Sequence, residues 1–213
     1  LILAGGLGTR LKSVTGDCPK ALAESDGVPF LDTQLKWLAR QGIREVVLLT
    51  GYGGQQIVSH VGDGANWNMN LQFVQEGQPL GTGGAVLNAV EELRLKQAFL
   101  LLNGDSLAEV DLTDFCRRGR GSCLAQIVVV HRENTSRYGV VDFNDRHHLL
   151  GFREKVDSCG PGWVNTGIYY FPAGWFDNTT AKSFPLSLEL DLIPGWISGD
   201  RAMQVFPVHG DFV

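Results

Sequence analysis

Short apolar runs at regular spacing constrain the fold of this chain more than any other feature. "VVLL" (46–49), "LQFVQ" (71–75), "AFLLL" (98–102) and "IVVV" (127–130) are each strand-sized, and near-continuous apolar runs suit strands buried on both faces. Residues 1–4 read as a further strand ahead of them. Helical patterns fall between the runs of the first half. In "PFLDTQLKWLARQ" (29–41), Pro29 suits an early helical position, Leu31, Leu35 and Leu38 share one face, and Gly42 ends the segment. "GGQQIVSHVG" (53–62) reads as a short helix, and "GTGGAVLNAVEEL" (81–93) as a longer one with Val86, Val90 and Leu93 inward. Strand and helix alternating in this way imply right-handed crossovers and a mostly parallel sheet with helices on both faces.

The second half is richer in strands, expected at 124–131, 138–143, 149–153 and 163–171. A helical segment near 187–198 contains Pro194 and Gly195, where a break is expected, and leads to a strand at 202–208. The expectation is one α/β domain over 1–213, Rossmann-like and three-layered, its mixed sheet carrying an added β-rich lobe; the halves divide near residue 110. The chain starts within one apolar stretch and stops within another, at "HGDFV", and reads as trimmed at both ends.

Composition narrows the partners. A net charge of −5 lacks the basic face that non-specific nucleic-acid binding needs, though a few local cations can still hold an anionic ligand. The apolar runs are too short to cross a bilayer, and no charged leader precedes them, so a cytoplasmic protein without membrane contact is expected. The cysteines at 18, 116, 123 and 159 show neither CxxC pairing nor metal-ligand spacing, and are read as free thiols. Histidines 60, 131, 147, 148 and 209 likewise lack ligand spacing, with 147 and 148 in a wet turn; the five tryptophans are read as packing residues. Oligomeric state is not legible, and a homo-oligomer is left open.

"ILAGGLGTRLKSVTGDCPKAL" (2–22) places a glycine-rich turn directly after the first strand, where such sheets bind phosphates. Two familiar templates fail. Leu11 occupies the third glycine of GxGxxG. Arg10, or Leu11 and Lys12, occupy the wrong places for GxxxxGK[ST]. What remains is G-G-x-G-T-R-L followed at a distance by Pro19-Lys20.

That pattern resembles the signature of the sugar-1-phosphate nucleotidyltransferases. The resemblance continues through "EGQPLGTGGAV" (76–86), "LLNGDSL" (101–107), "RYGVV" (137–141), "FREK" (152–155) and "VNTGIYYF" (164–171), in the family's order. It implies the nucleotide-diphospho-sugar transferase fold and transfer of a nucleoside monophosphate to a sugar 1-phosphate, with Mg²⁺. Guanylyl transfer to a heptose or mannose 1-phosphate is the leading version. Uridylyl or thymidylyl transfer to a hexose or amino-sugar phosphate is the alternative, and a catalytically silent regulatory relative a further one.

The resemblance also implies roles. Arg10, Lys20 and Asp105 would be catalytic, with Asp105 the Mg²⁺ ligand; Leu3, Ala4, Gly5, Gly6, Gly8 and Thr9 would hold the nucleotide. Glu76, Gly81 and Thr82 would address its base. A carboxylate at Glu76 can accept from both donors on the guanine edge, where uracil offers only one, which favours GTP. Asn103, Gly139, Glu154, Lys155, Asn165 and Gly167 would serve the sugar phosphate, the glycines by letting backbone approach. The family's usual second metal aspartate lies in a "D-x-G-T-P" segment that would begin where this sequence stops, and Asp211 precedes that position. Simpler alternatives are that Arg10, Lys20 and Glu76 are solvated charges and that Asp105 only caps a turn.

Overall fold

A computed structural model describes residues 1–6, 18–136, 138–153, 160–179 and 183–213. The order of strands is set by where each apolar run finds its partners. Strand β1 (Ile2–Leu3) lies between β4 (Glu45–Thr50) and β6 (Phe99–Asn103), parallel to both. Strand β5 (Asn70–Gln75) adds to β4, again parallel. On the other side, β10 (Gly162–Phe171) runs antiparallel to β6 and to β7 (Ala125–Arg132), and β11 (Met203–Val208) runs parallel to β7. Strands β8 (Val140–Phe143) and β9 (Leu149–Arg153) form a lobe attached to β10 through the Val164–Val140 pair. The mostly parallel mixed sheet expected from the sequence is therefore present, with its antiparallel strand at the centre rather than the edge.

Alternate residues of each strand enter two separate cores. Leu48, Leu102, Val128 and Ile168 pack with α1 (Phe30–Arg40), α2 (Gly54–Val61) and α4 (Leu112–Ser122) on one face. Leu49, Leu101, Val129 and Tyr169 pack with α3 (Gly81–Glu92) and α5 (Ile193–Ser198) on the other. Helix α1 forms because Leu31, Leu35 and Leu38 make one stripe, all buried; removing one such leucine side chain costs about 2–5 kcal/mol.

Several local expectations shift. Pro29 is the residue before α1, not inside it, and also pairs in the hairpin of β2 (Glu24–Ser25) and β3 (Val28–Pro29). That hairpin turns at Asp26-Gly27, both with positive φ, the conformation an Asp-Gly pair favours. Helix α4 was absent from the expected elements. Its signal is Asp111, whose carboxylate accepts from the Thr113 and Asp114 amides ahead of buried Leu112 and Phe115. The 187–198 segment does not break at Pro194: a π-helical turn (Leu188–Leu192) runs directly into α5, with Pro194 in the first turn of that helix, where its missing N–H costs nothing. The last residues form no full strand but pair with 107–109, with Phe212 bridging Ala108.

Cys18, Cys116 and Cys123 are free thiols. Trp175 and Trp196 are buried in the second core, whereas Trp163 packs edge-on between His131 and His209. Among the described residues no helix is long and apolar enough to cross a membrane.

Candidate active site

The chain moves from β1 outward to β4 and β5, then returns through α3 to β6 on the other side of β1. At such a reversal of strand order the loops part, leaving a crevice beyond the carboxyl ends of the strands. A cavity of 430 Å³ opens there. Leu3, Ala4, Gly5 and Gly6, at the end of β1, form its floor, and Glu76, Gly81 and Thr82 stand at the β5–α3 side. A second cavity, of 540 Å³, lies over the β10 side and includes Gly139 and Asn165. Lys20, Asn103 and Asp105 line both. A third, more aliphatic cavity of 480 Å³, which includes Val47, Leu93 and Phe99, lies around the N-terminal ends of the strands.

Asp105 follows β6 in the turn Asn103-Gly104-Asp105-Ser106. Gly104 is obligatory in that turn: a Cβ there would sit 2.4 Å from the Leu3 carbonyl oxygen, which accepts from the Gly104 amide at 2.9 Å. The Asp105 carboxylate accepts from the Lys20 ammonium, and both side chains remain about two-fifths exposed. Lys20 heads a 3₁₀ turn (Lys20–Leu22) anchored by buried Ala21. Lys20 is thus a paired charge, with Asp105 as its partner.

Glu76 is half-buried. One carboxylate oxygen accepts from the Leu80 amide at 3.1 Å, and the other lies against Gly5 and Gly51, where a Cβ would come within 2.9 and 2.4 Å of it. Burial raises its pKa above the ordinary value, while the Leu80 amide opposes the shift. Gly51 was not singled out in the sequence, yet it provides half of this slot.

The glycines opening α3 also let it approach the chain beside it. The Gly83 and Gly84 amides donate to the Leu186 carbonyl, and a Cβ on Gly81 would lie 2.5 Å from that oxygen. They dock α3 closely against the 184–188 segment. Thr82 Oγ accepts from the Leu188 amide at 2.8 Å and donates to Glu189 at 3.1 Å.

Glu189 was also missed by sequence reasoning; it lines the second cavity from the π-helical turn. It accepts from the Tyr169 hydroxyl at 2.8 Å, and that hydroxyl accepts from Asn165 Nδ2 at 2.6 Å. Burial, and next the Glu189 carboxylate, push the Tyr169 phenol well above its ordinary pKa, so it stays a donor. Asn165 Oδ1 accepts from the Gly167 amide at 2.7 Å. Gly167 is not among the residues lining either cavity; its positive φ and missing Cβ make room for Asn103, whose Nδ2 would otherwise be 2.5 Å from the methyl. Gly139 does line the cavity, with nothing within 4 Å of an added Cβ.

Gly8, Thr9, Arg10, Glu154 and Lys155 lie outside the described residues. Among those described, no three His, Cys, Asp or Glu side chains group to hold a metal. Asp105 nevertheless offers the hard oxygen Mg²⁺ prefers, and one or two carboxylates with phosphate oxygens and water complete an ordinary Mg²⁺ site. Asn103 Oδ1, at the same junction, is buried without a hydrogen-bond partner among the described residues.

A crevice at the strand reversal, with two cavities that share a lysine–aspartate pair, lies where open parallel sheets hold their ligands. The chain belongs to the nucleotidyl transferase family, whose profile matches residues 1–192. It is 31% identical over 201 residues to a mannose-1-phosphate guanylyltransferase of Mycobacterium tuberculosis, covering 93% of this chain and 55% of that protein. It is 34% identical over 178 residues to a D-glycero-alpha-D-manno-heptose 1-phosphate guanylyltransferase of Campylobacter jejuni, covering 84% and 77%. This chain thus spans about half of the first relative and three-quarters of the second. Among solved structures, HddC from Yersinia pseudotuberculosis complexed with GMP-PN superposes with a TM-score of 0.85 at 32% identity, over 100% of this chain and 91% of that one. The fold expected from the motifs is the fold observed.

Proposed function

We propose that this chain transfers GMP from GTP to a heptose or mannose 1-phosphate, releasing pyrophosphate and forming a nucleoside-diphosphate sugar. The observation that carries the reading is that the two cavities meet at Lys20, Asn103 and Asp105. The nucleotide would occupy the cavity floored by residues 3–6, and the sugar phosphate the one lined by Gly139, Asn165 and Glu189. The two heptose- and mannose-phosphate relatives, and a structural neighbour complexed with GMP-PN, favour guanine and these sugars.

The chemistry needs no activated serine or cysteine. A sugar phosphate oxygen, already an anion, forms a bond to the α-phosphorus of GTP as the bond from that phosphorus to the β-phosphate oxygen breaks. The protein aligns the two groups and offsets their crowded negative charge. Lys20 stands at the meeting point and would contact the phosphates; Arg10 and Lys155 join it in this reading. Asp105 would hold Mg²⁺, which when bound neutralises phosphate charge. Glu76 would accept from the guanine edge, and Asn165 and Glu189 would receive sugar hydroxyls. Such an enzyme would work in the cytoplasm, where nucleoside triphosphates are available.

A pyrophosphate-release screen crossing the four common nucleoside triphosphates with a panel of sugar 1-phosphates tests the reading. GTP with a heptose or mannose 1-phosphate should turn over fastest. Faster release from UTP or dTTP would reassign the base and the sugar class, and no release from any pair would refute nucleotidyl transfer.

A further inference from the structure

Gln34 is out of character with its surroundings. It lies on α1 within the apolar stripe of Leu31, Leu35 and Leu38 and is fully buried, at 0% exposure. Its Nε2 donates to the Asn103 carbonyl at 2.8 Å and to the Ser106 carbonyl at 3.0 Å. These two carbonyls bracket Gly104 and Asp105, so a single side chain grips both ends of the turn that presents the aspartate. Carbonyls only accept, so the amino group of the amide must face them. That orientation leaves Gln34 Oε1 buried without a hydrogen-bond partner among the described residues, an arrangement that disfavours folding. A leucine at this position would extend the stripe without that cost. The compensation lies in the turn: its other anchors, the Gly104 amide to Leu3 and Ser106 Oγ to Thr166, each hold only one side of Asp105.

We propose that Gln34 is a positioning residue for Asp105: its amide fixes the span from Asn103 to Ser106, and so the place at which the Asp105 carboxylate meets Lys20 and an incoming cation or phosphate. The inference rests on the functional reading above, because only a site requiring a carboxylate at one place gains from such a clamp. Groups behind a ligand typically matter by about ten- to a hundredfold in metal affinity or activity.

The test compares the wild-type chain with Gln34→Met, similar in length and lacking donors, and with Gln34→Glu, similar in shape but repelled by the two carbonyls. Mn²⁺ binding is read by electron paramagnetic resonance with a non-hydrolysable GTP analogue present, alongside kcat, the sugar-phosphate KM and the melting temperature without ligand. Both variants should bind Mn²⁺ about tenfold more weakly and lose about tenfold in kcat, with the sugar-phosphate KM within about twofold of wild type. A folded variant with wild-type Mn²⁺ affinity and kcat overturns the proposal. So does failure of both variants to fold, which would confine Gln34 to the core. A wild-type chain that binds Mn²⁺ and the analogue but turns over no sugar phosphate refutes the functional reading and leaves the Gln34 comparison intact; one that binds neither refutes both.

Discussion

Replacing Gly167 and Gly139 in turn with alanine separates a glycine that the fold needs from one that lines the second cavity. Gly167 has φ +73°, in a region where an L side chain costs roughly 1–2 kcal/mol. The new methyl would come within 2.5–2.8 Å of Asn103 Nδ2, Cγ and Cβ. Asn103 would have to leave its rotamer, at about 0.5–1.5 kcal/mol. Any backbone shift would also strain the 2.7 Å bond from the Gly167 amide to Asn165, worth about 1 kcal/mol. A loss of about 3 kcal/mol follows, or a drop of roughly 6–12 °C in Tm for a chain of this size. Gly139→Ala should change stability by no more than about 0.5 kcal/mol, since its Cβ meets nothing. That methyl instead narrows the second cavity, so the sugar-phosphate KM should rise while Tm holds. Calorimetry with parallel steady-state kinetics decides the matter. A Gly167→Ala chain melting within about 2 °C of wild type, or a Gly139→Ala chain falling as far, would refute the reasoning.

Lys20→Ala and Asp105→Asn should each lower turnover a hundredfold or more, about 3 kcal/mol. Because the pair is partly exposed, stability should change by less than about 1 kcal/mol, checked by urea titration. The raised Glu76 pKa means that the folded chain binds this proton more tightly than the unfolded one. Its contribution to stability is full below the ordinary carboxylate range and is lost as pH rises through the raised value. If Glu76 accepts from the guanine edge as proposed, GTP binding should tighten over the same interval; titrating both across pH 4–7 with Glu76→Gln, about the span where carboxylates shift, should show both slopes vanish. Thr82→Val removes the acceptor for the Leu188 amide and a donor to Glu189, and should cost about 1–2 kcal/mol in denaturant unfolding.

The layering was legible because it depends on local pattern. Leu31, Leu35 and Leu38 could only face a core from a helix, and "EVVLLT" could only be a buried strand; both appear where the sequence places them. The convergence of residues 3–6, 76, 82 and 103–105 on one crevice was legible through motif order alone. Helix α4 was overlooked because its periodicity is diluted by "CRRGRGS", leaving the Asp111 cap as its main mark.

The sequence by itself determined most of the strands and helices, helix α4 and the β2–β3 hairpin excepted, and which residues carry charge near the glycine turn, because periodicity and residue chemistry act over a few positions. Tertiary structure alone decided the remainder. It placed antiparallel β10 beside β6, so that Gly167 shelters Asn103, and it set Glu189 between Thr82 and Tyr169. It also turned Gln34 from one polar residue on an apolar stripe into the clamp on the aspartate turn. Each of these contacts joins residues at least 20 and up to 107 positions apart; no local pattern encodes which distant backbone a side chain will meet, and only the folded packing brings them together.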